Sequence, residues 1–125
     1  MPNIEKMTRH AINFCTIPLT KGYYAIVDPE DFNYLVQWNW FAKIGGRGGE
    51  PYAARSTRQF GKIITIRMHR EITNAPDGME VDHLNFNTLD NRRKNLEVVT
   101  KAENLKRRRN RKLFPKTNYC DEIPF

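Results

Sequence analysis

The sequence predicts an α+β fold, with an N-terminal antiparallel β-sheet and a short helix followed by a C-terminal strand-strand-helix (ββα) unit. Three observations predict it. Short runs rich in β-branched and aromatic residues follow one another from residue 15 to 66, separated by Gly and Pro breakers. Asp28-Pro29 opens a short stretch with Phe32, Leu35 and Val36 at helical spacing. Thr100 and Glu103 form a capping-box pattern directly after the β-branched run 96–99, so a strand should pass straight into a helix there.

Taken in order, residues 15–19 and 23–27 read as strands joined by Thr20-Lys21-Gly22, a hairpin. Asp28 should cap a helix whose first residue is Pro29, where a missing N–H costs nothing, and Gln37 should lie near its end. Residues 38–44 and 52–57 read as strands around the breaker-rich connection 45–51, which is basic only at Arg47. A phosphate-cradling loop needs a helix behind its glycines; this one runs through Pro51 into another strand, so it is a hairpin loop. Residues 62–66 form the last strand of this half, 68–72 a short helix, and Ala75-Pro76-Asp77-Gly78 a turn. Residues 79–83 and 96–99 are the strands of the second half, around an Asn-rich connection, and the final helix starts near Lys101 and ends before Pro115. The expected organisation is one domain over 1–125, with a β-rich subdomain at 14–74, a ββα core at 78–112 and a tail at 113–125.

The chain has 21 Lys+Arg against 14 Asp+Glu, a formal charge of +7, which favours a polyanionic partner. Cys15 and Cys120 lie near opposite ends and form no Cys-x-x-Cys pair, so neither a zinc knuckle nor a disulfide framework is signalled. No stretch approaches the roughly 20 apolar residues of a membrane span, and the opening lacks a signal-peptide run, so a cytoplasmic location is expected.

The ββα reading brings Asp82 and His83, at a strand end, towards Asn104 in the first turn of the helix. A carboxylate and an amide oxygen are hard ligands suited to Mg²⁺, with Mn²⁺ the second choice, and they leave positions open for phosphate and water. His83 is then free to act as a base, since a neutral imidazole accepts a proton near physiological pH. Taken singly, these residues have plain roles, Asn104 as a solvated helix residue and Asn95 as a turn former.

The segments 81–87, 90–100 and 102–104, reading Val-Asp-His-Leu-Asn-Phe-Asn, Asp-Asn-Arg-Arg-Lys-Asn-Leu-Glu-Val-Val-Thr and Ala-Glu-Asn, resemble the core motif of HNH (His-Asn-His) endonucleases, particularly those of phages and mobile introns. Residues 17–70, with Pro18-Leu19-Thr20-Lys21-Gly22, Val27-Asp28, Trp40, Tyr52-Ala53 and Met68-His69-Arg70, are similar to the region preceding that motif in phage HNH proteins, some of them linked to AP2-type DNA-binding domains. The resemblance implies a phosphodiester hydrolase of a phage or mobile element in a bacterial host. It makes His83 the general base, Asp82 and Asn104 the ligands of one divalent ion, and Asn95 the catalytic-site residue that braces the ββ connection; Asn87 and Asn91 compete with Asn95 for that place. It also implies 5′-phosphate and 3′-hydroxyl products. Asn104 stands where the family name has its last His, which should lessen affinity for softer metals.

Double-stranded DNA is the implied partner, positioned by the β-rich subdomain 14–74 and met by Arg92, Arg93 and Lys94 beside the site and by Lys101, Lys106, Arg107, Arg108, Arg109, Arg111 and Lys112 along the final helix. Trp38, Trp40, Phe41, Tyr52 and Phe60 are assigned to the core, and His69 is read as a buried, satisfied histidine. His10 carries no signal. The alternative reading is a non-cleaving DNA-binding module on the same scaffold. Monomer and homodimer stand equal, since no coiled-coil pattern advertises a partner helix.

Overall fold

A computed structural model gives the structure and describes residues 13–45 and 49–113. His10, Arg47, Cys120, the side chain of Lys112 and the tail from residue 114 lie outside the described residues.

The architecture is mixed α+β with small antiparallel sheets. Strands β1 (Cys15–Pro18) and β2 (Tyr24–Val27) pair across a 3-10 turn at Thr20–Gly22. Helix α1 (Pro29–Leu35) follows, then a three-stranded meander of β3 (Phe41–Ile44), β4 (Pro51–Gln59) and β5 (Lys62–Arg67). Helix α2 (Met68–Thr73) leads through the turn at Pro76 into β6 (Met79–His83), which pairs with β7 (Leu96–Thr100) in the register His83 opposite Leu96; helix α3 (Lys101–Leu113) completes the chain. Among the described residues no helix is long and apolar enough to cross a membrane.

The core is assembled by the N-terminal elements. Ile17, Ala25, Val27, Leu35, Trp40, Ala53, Met68 and Ile72 form one buried cluster, in which each large side chain contributes roughly 1.5–3 kcal/mol by leaving water. Trp40 also donates its indole N–H to the Leu35 carbonyl at 2.8 Å, which satisfies an end carbonyl of α1. Thr20 Oγ1 accepts from the Ala42 amide at 3.0 Å and ties the first hairpin to β3.

Four expectations change. The strand expected from Trp38 begins only at Phe41, because Trp38 and Trp40 turn inward to pack edge to face at 6.2 Å, with Tyr34 on Trp38 at 5.1 Å. Val36, expected on the apolar face of α1, is exposed. Asp28 sits at the N-cap position of α1 without capping it; its carboxylate accepts from the Arg93 amide at 2.9 Å, 65 residues away in sequence. Phe60, assigned to the core, is 96% exposed at the tip of the β4–β5 hairpin. A two-residue loop closes that hairpin between Gln59 and Lys62, and its tip has no second layer to pack against.

Candidate functional site

The connection between β6 and β7 carries almost no regular structure, and side-chain hydrogen bonds fix its path. Asn95 lies at the centre. Its Oδ1 accepts from the Asn85 amide and its Nδ2 donates to the Asp90 carbonyl, both at 2.8 Å. Its own carbonyl accepts from the Leu84 amide at 2.9 Å, which carries the ladder one step beyond His83. Asp90 is fully buried and takes the Arg92 guanidinium through Nε at 2.9 Å and Nη2 at 2.8 Å, with the Asn85 amide group on the same carboxylate. Such a two-pronged charge-assisted pair holds both partners in one orientation.

The N-terminal half grips this loop from outside. Ile26 of β2 donates to the Leu89 carbonyl at 2.8 Å and accepts from the Asn91 amide at 2.7 Å, a short parallel bridge around Asp90. Arg93 reaches back to Asp31 of α1 with two bonds of 2.9 Å. Thr88 donates its hydroxyl to the Pro51 carbonyl at the start of β4.

His83, 7% exposed, ends β6, and its Nε2 lies 2.9 Å from Asn91 Oδ1. An amide oxygen accepts, so the proton belongs on Nε2 and the lone pair on Nδ1. Burial holds the His83 imidazolium below the usual histidine range, against the opposing pull of Asn91, Asp82 and Asp90, so the ring is neutral at physiological pH. The second ring in this pocket is His69 of α2, edge-on to His83 with centroids 5.3 Å apart. Burial, together with His83, Arg67 and Arg70, drives its pKa down to about 3. Against the expectation of a satisfied histidine, the Nδ1 of His69 is buried without a hydrogen-bond partner.

Asp82, 3% exposed, stands next to His83 and meets α3. Its carboxylate takes Arg111 at 2.7 and 2.8 Å and Arg107 at 3.0 Å. The Arg111 guanidinium also lies 4.2 Å over the ring of Phe86, a residue held at φ 68° by the turn that returns its amide to the His83 carbonyl. Asn104 of α3 donates its amide to Glu80, which shares a strand face with Asp82. Asp82, His83, Glu80, Asn104 and Arg111 all line one open cleft of roughly 920 Å³, with Tyr52, Arg67, His69, Lys101 and Arg108 around them.

The cleft contains oxygen donors of the kind that could hold a hard divalent ion. Asp82 and Glu80 offer carboxylate oxygens and Asn104 an amide oxygen, while among the described residues no group of three or more His, Cys, Asp or Glu side chains is gathered. Both Asp82 oxygens already accept from Arg111 and Arg107, and Glu80 accepts from Asn104, so an ion held by these residues would have to displace those contacts.

The basic residues expected to meet DNA divide into two groups. Arg92 is 5% exposed inside the loop and bonded to Asp90, so its guanidinium serves the fold. Arg107 bridges Asp82, Glu97 and Glu103, and Arg111 holds Asp82. The carboxylates around Arg107, Glu97 before the others, raise its pKa further. Arg93 keeps a side chain 59% exposed while paired to Asp31, and Lys94, Lys101, Lys106, Arg108 and Arg109 are exposed. Thr100 Oγ1 caps the Glu103 amide at 3.0 Å as expected, and the Glu103 carboxylate is taken by Arg107 one turn on.

Sequence reasoning missed Glu80 and the pairing of two arginines with Asp82. Period-two alternation along β6 would have put Glu80 beside Asp82, and the spacing of Asn104, Arg107 and Arg111 puts all three on one helix face. Asn91, expected only as a competitor of Asn95, is the residue that bonds the His83 ring, while Asn95 bonds the backbone of the loop.

The HNH endonuclease family model matches residues 74–106, from the end of α2 through the first turns of α3. This is the span that carries Asp82, His83, Asn95 and Asn104. The match supports the HNH resemblance and a nuclease-type, DNA-binding role for this part of the chain. No curated protein and no solved structure matches the chain.

Proposed function

We propose that the chain is a metal-dependent DNA endonuclease of the HNH type, cutting double-stranded DNA to 5′-phosphate and 3′-hydroxyl ends. The observation that carries the reading is a buried His83 held through Nε2 by Asn91, on the same cleft as Asp82 and Asn104. His83 Nδ1 takes a proton from water as the oxygen attacks phosphorus, and the bond from phosphorus to the 3′ oxygen breaks with the electron pair on that oxygen, which is protonated by solvent. Asn91 keeps the lone pair of His83 on Nδ1, and Asn95 keeps the loop on which both residues depend. Asp82 and Asn104 would hold one divalent ion, Mg²⁺ in preference to Mn²⁺, which would supply positive charge to offset the negative charge that builds up on the reacting phosphodiester. Lys101 and Arg108 on the cleft rim, with Lys94, Lys106 and Arg109, hold phosphates on either side.

One observation favours the non-cleaving alternative: Asp82 is already neutralised by Arg107 and Arg111. A single assay separates the two. Supercoiled plasmid is incubated with the protein, with and without Mg²⁺ or Mn²⁺, beside His83→Ala and Asn104→Ala. Metal-dependent nicked or linear DNA that both substitutions suppress supports the endonuclease; DNA binding with no cut by any protein replaces it with the binding module.

A further inference from the structure

Away from the cleft, the β4–β5 hairpin has a composition and shape that the fold does not require. From Pro51 to Arg67 it contains Arg55, Arg58, Lys62 and Arg67 and no Asp or Glu. Register sorts its residues onto two faces. Arg55 opposite Ile66 belongs to the inner face, where the Arg55 guanidinium lies 4.0 Å over Trp38 and pairs with Glu71. The other face carries Ser56 opposite Thr65, Arg58 opposite Ile63, and Arg67; all five are exposed, Ile63 to 68%. This face is continuous with the catalytic cleft, because Arg67 lines the cleft and donates to the Tyr52 hydroxyl at 3.1 Å.

At the far end stands Phe60, in the left-handed region at φ 53°, followed by Gly61 at φ 76°. A two-residue turn with both φ positive favours Asn-Gly, and a bulky side chain is a poor choice at its first position. Burial gives no compensation, since the ring is 96% exposed. An aromatic kept against turn preference, outside the core and between Arg58 and Lys62, has the chemistry of a base-stacking wedge on a phosphate-binding support.

We propose that the β4–β5 hairpin is a DNA-contacting ribbon that lies in a groove of the duplex beside the cut and drives Phe60 against its bases. The proposal rests on the endonuclease reading and specifies where the flanking duplex runs. The paired segment is about 20 Å long, and the major groove, roughly 12 Å wide, admits a two-stranded ribbon. A second copy of the chain is a poorer occupant for the exposed β5 edge, because a two-fold pairing would set one cationic ribbon against another without an acid on either.

The test uses the full chain carrying His83→Ala, so that binding is read without cleavage, on a labelled duplex long enough to reach from the cleft past the hairpin. Phe60→Ala is expected to weaken binding about tenfold with an unchanged salt dependence, and Phe60→Trp to restore it. Arg58→Ala with Lys62→Ala is expected to reduce the slope of log affinity against log salt by about 2. A 2-aminopurine base placed along the flank should brighten on binding through unstacking, and stay dim with Phe60→Ala. Equal affinity and equal salt slope in all variants overturn the assignment, as does light scattering that shows a dimer dispersed by Phe60→Ala at unchanged DNA affinity. If the protein with native His83 cuts plasmid while the hairpin variants bind and cut as it does, the hairpin assignment alone falls. If it neither binds nor cuts DNA, the endonuclease reading falls and the hairpin with it.

Discussion

The two halves of this molecule are held by different forces. Residues 13–74 enclose an apolar cluster around Leu35, Val27 and Met68, which tolerates small adjustments because dispersion and burial have no strong direction. Residues 84–95 are held by Asn85, Asp90, Arg92 and Asn95, each buried and each bonded through specific atoms. Directional bonds fix the path of this loop, and with it the angle of the His83 imidazole, more tightly than an apolar core would. The cost is fragility, because every buried polar group in the network depends on its neighbours.

That difference is sharpest at the Asp90–Arg92 pair. Asp90→Asn keeps the volume and leaves the Arg92 charge buried and uncompensated, so a loss of about 3–5 kcal/mol is expected, a large share of the stability of a domain this size. Leu35→Ala should cost about 2–5 kcal/mol by opening a cavity in the apolar cluster. Urea unfolding measures both. The contrast lies in rescue: adding Arg92→Leu to Asp90→Asn should recover part of the stability without recovering cleavage. Full recovery of cleavage would show that the loop needs bulk rather than bond direction.

The same contrast explains what could be read in the sequence. Elements built on periodicity and turn chemistry were legible: β7 and α3 begin where the β-branched run and Thr100 place them, and β1, β2 and β5 fall within a residue or two of expectation. Of the candidate site, Asp82, His83 and Asn104 do line one cleft. The sequence was silent where a side chain leaves its own element. Asp28 looks like a helix cap and bonds Arg93; Arg92 looks like a phosphate contact and closes on Asp90; Phe60 looks like core and is exposed. Each of these depends on which distant residue has a matching vacancy, and local pattern carries no record of that.

His69 tests the join between the halves, since it sits on α2 and packs against His83. Its pKa is about 3 in the folded protein, against an ordinary value near 6.5 when unfolded. Between those values the unfolded chain holds a proton that the folded chain does not. The stability His69 lends is therefore fully present above pH 6.5 and is lost as pH falls towards 3, at up to about 1.4 kcal/mol per pH unit. His69→Asn should flatten the pH dependence of the urea midpoint between these limits relative to the parent. An unchanged slope would mean that His69 charges in place.

Asn91→Ala addresses the imidazole itself. Removing the acceptor of His83 Nε2 should lower kcat about 10- to 100-fold through misorientation, as loss of an orienting partner does at metal sites, with KM little changed. Circular dichroism and the urea midpoint separate this from unfolding. Loss confined to KM would instead assign Asn91 to DNA binding.

The smallest expected effect concerns Asp82, where the two kinds of bonding compete. In the free protein its carboxylate is shared by Arg111, stacked on Phe86, and Arg107, which also serves Glu97 and Glu103. A divalent ion bound there must take the place of at least part of that guanidinium contact, and a phosphate entering the cleft offers Arg111 a new anion. Arg111→Ala should therefore strengthen Mn²⁺ binding to the DNA-free protein, by about fivefold if the displaced pair is worth about 1 kcal/mol, and weaken DNA binding at the same time. Calorimetry on the DNA-free protein reads the first effect and anisotropy the second. Opposite changes in the two affinities would mark Arg111 as a residue that exchanges carboxylate for phosphate as the site loads. Weaker binding of both would make it a support that keeps Asp82 in place.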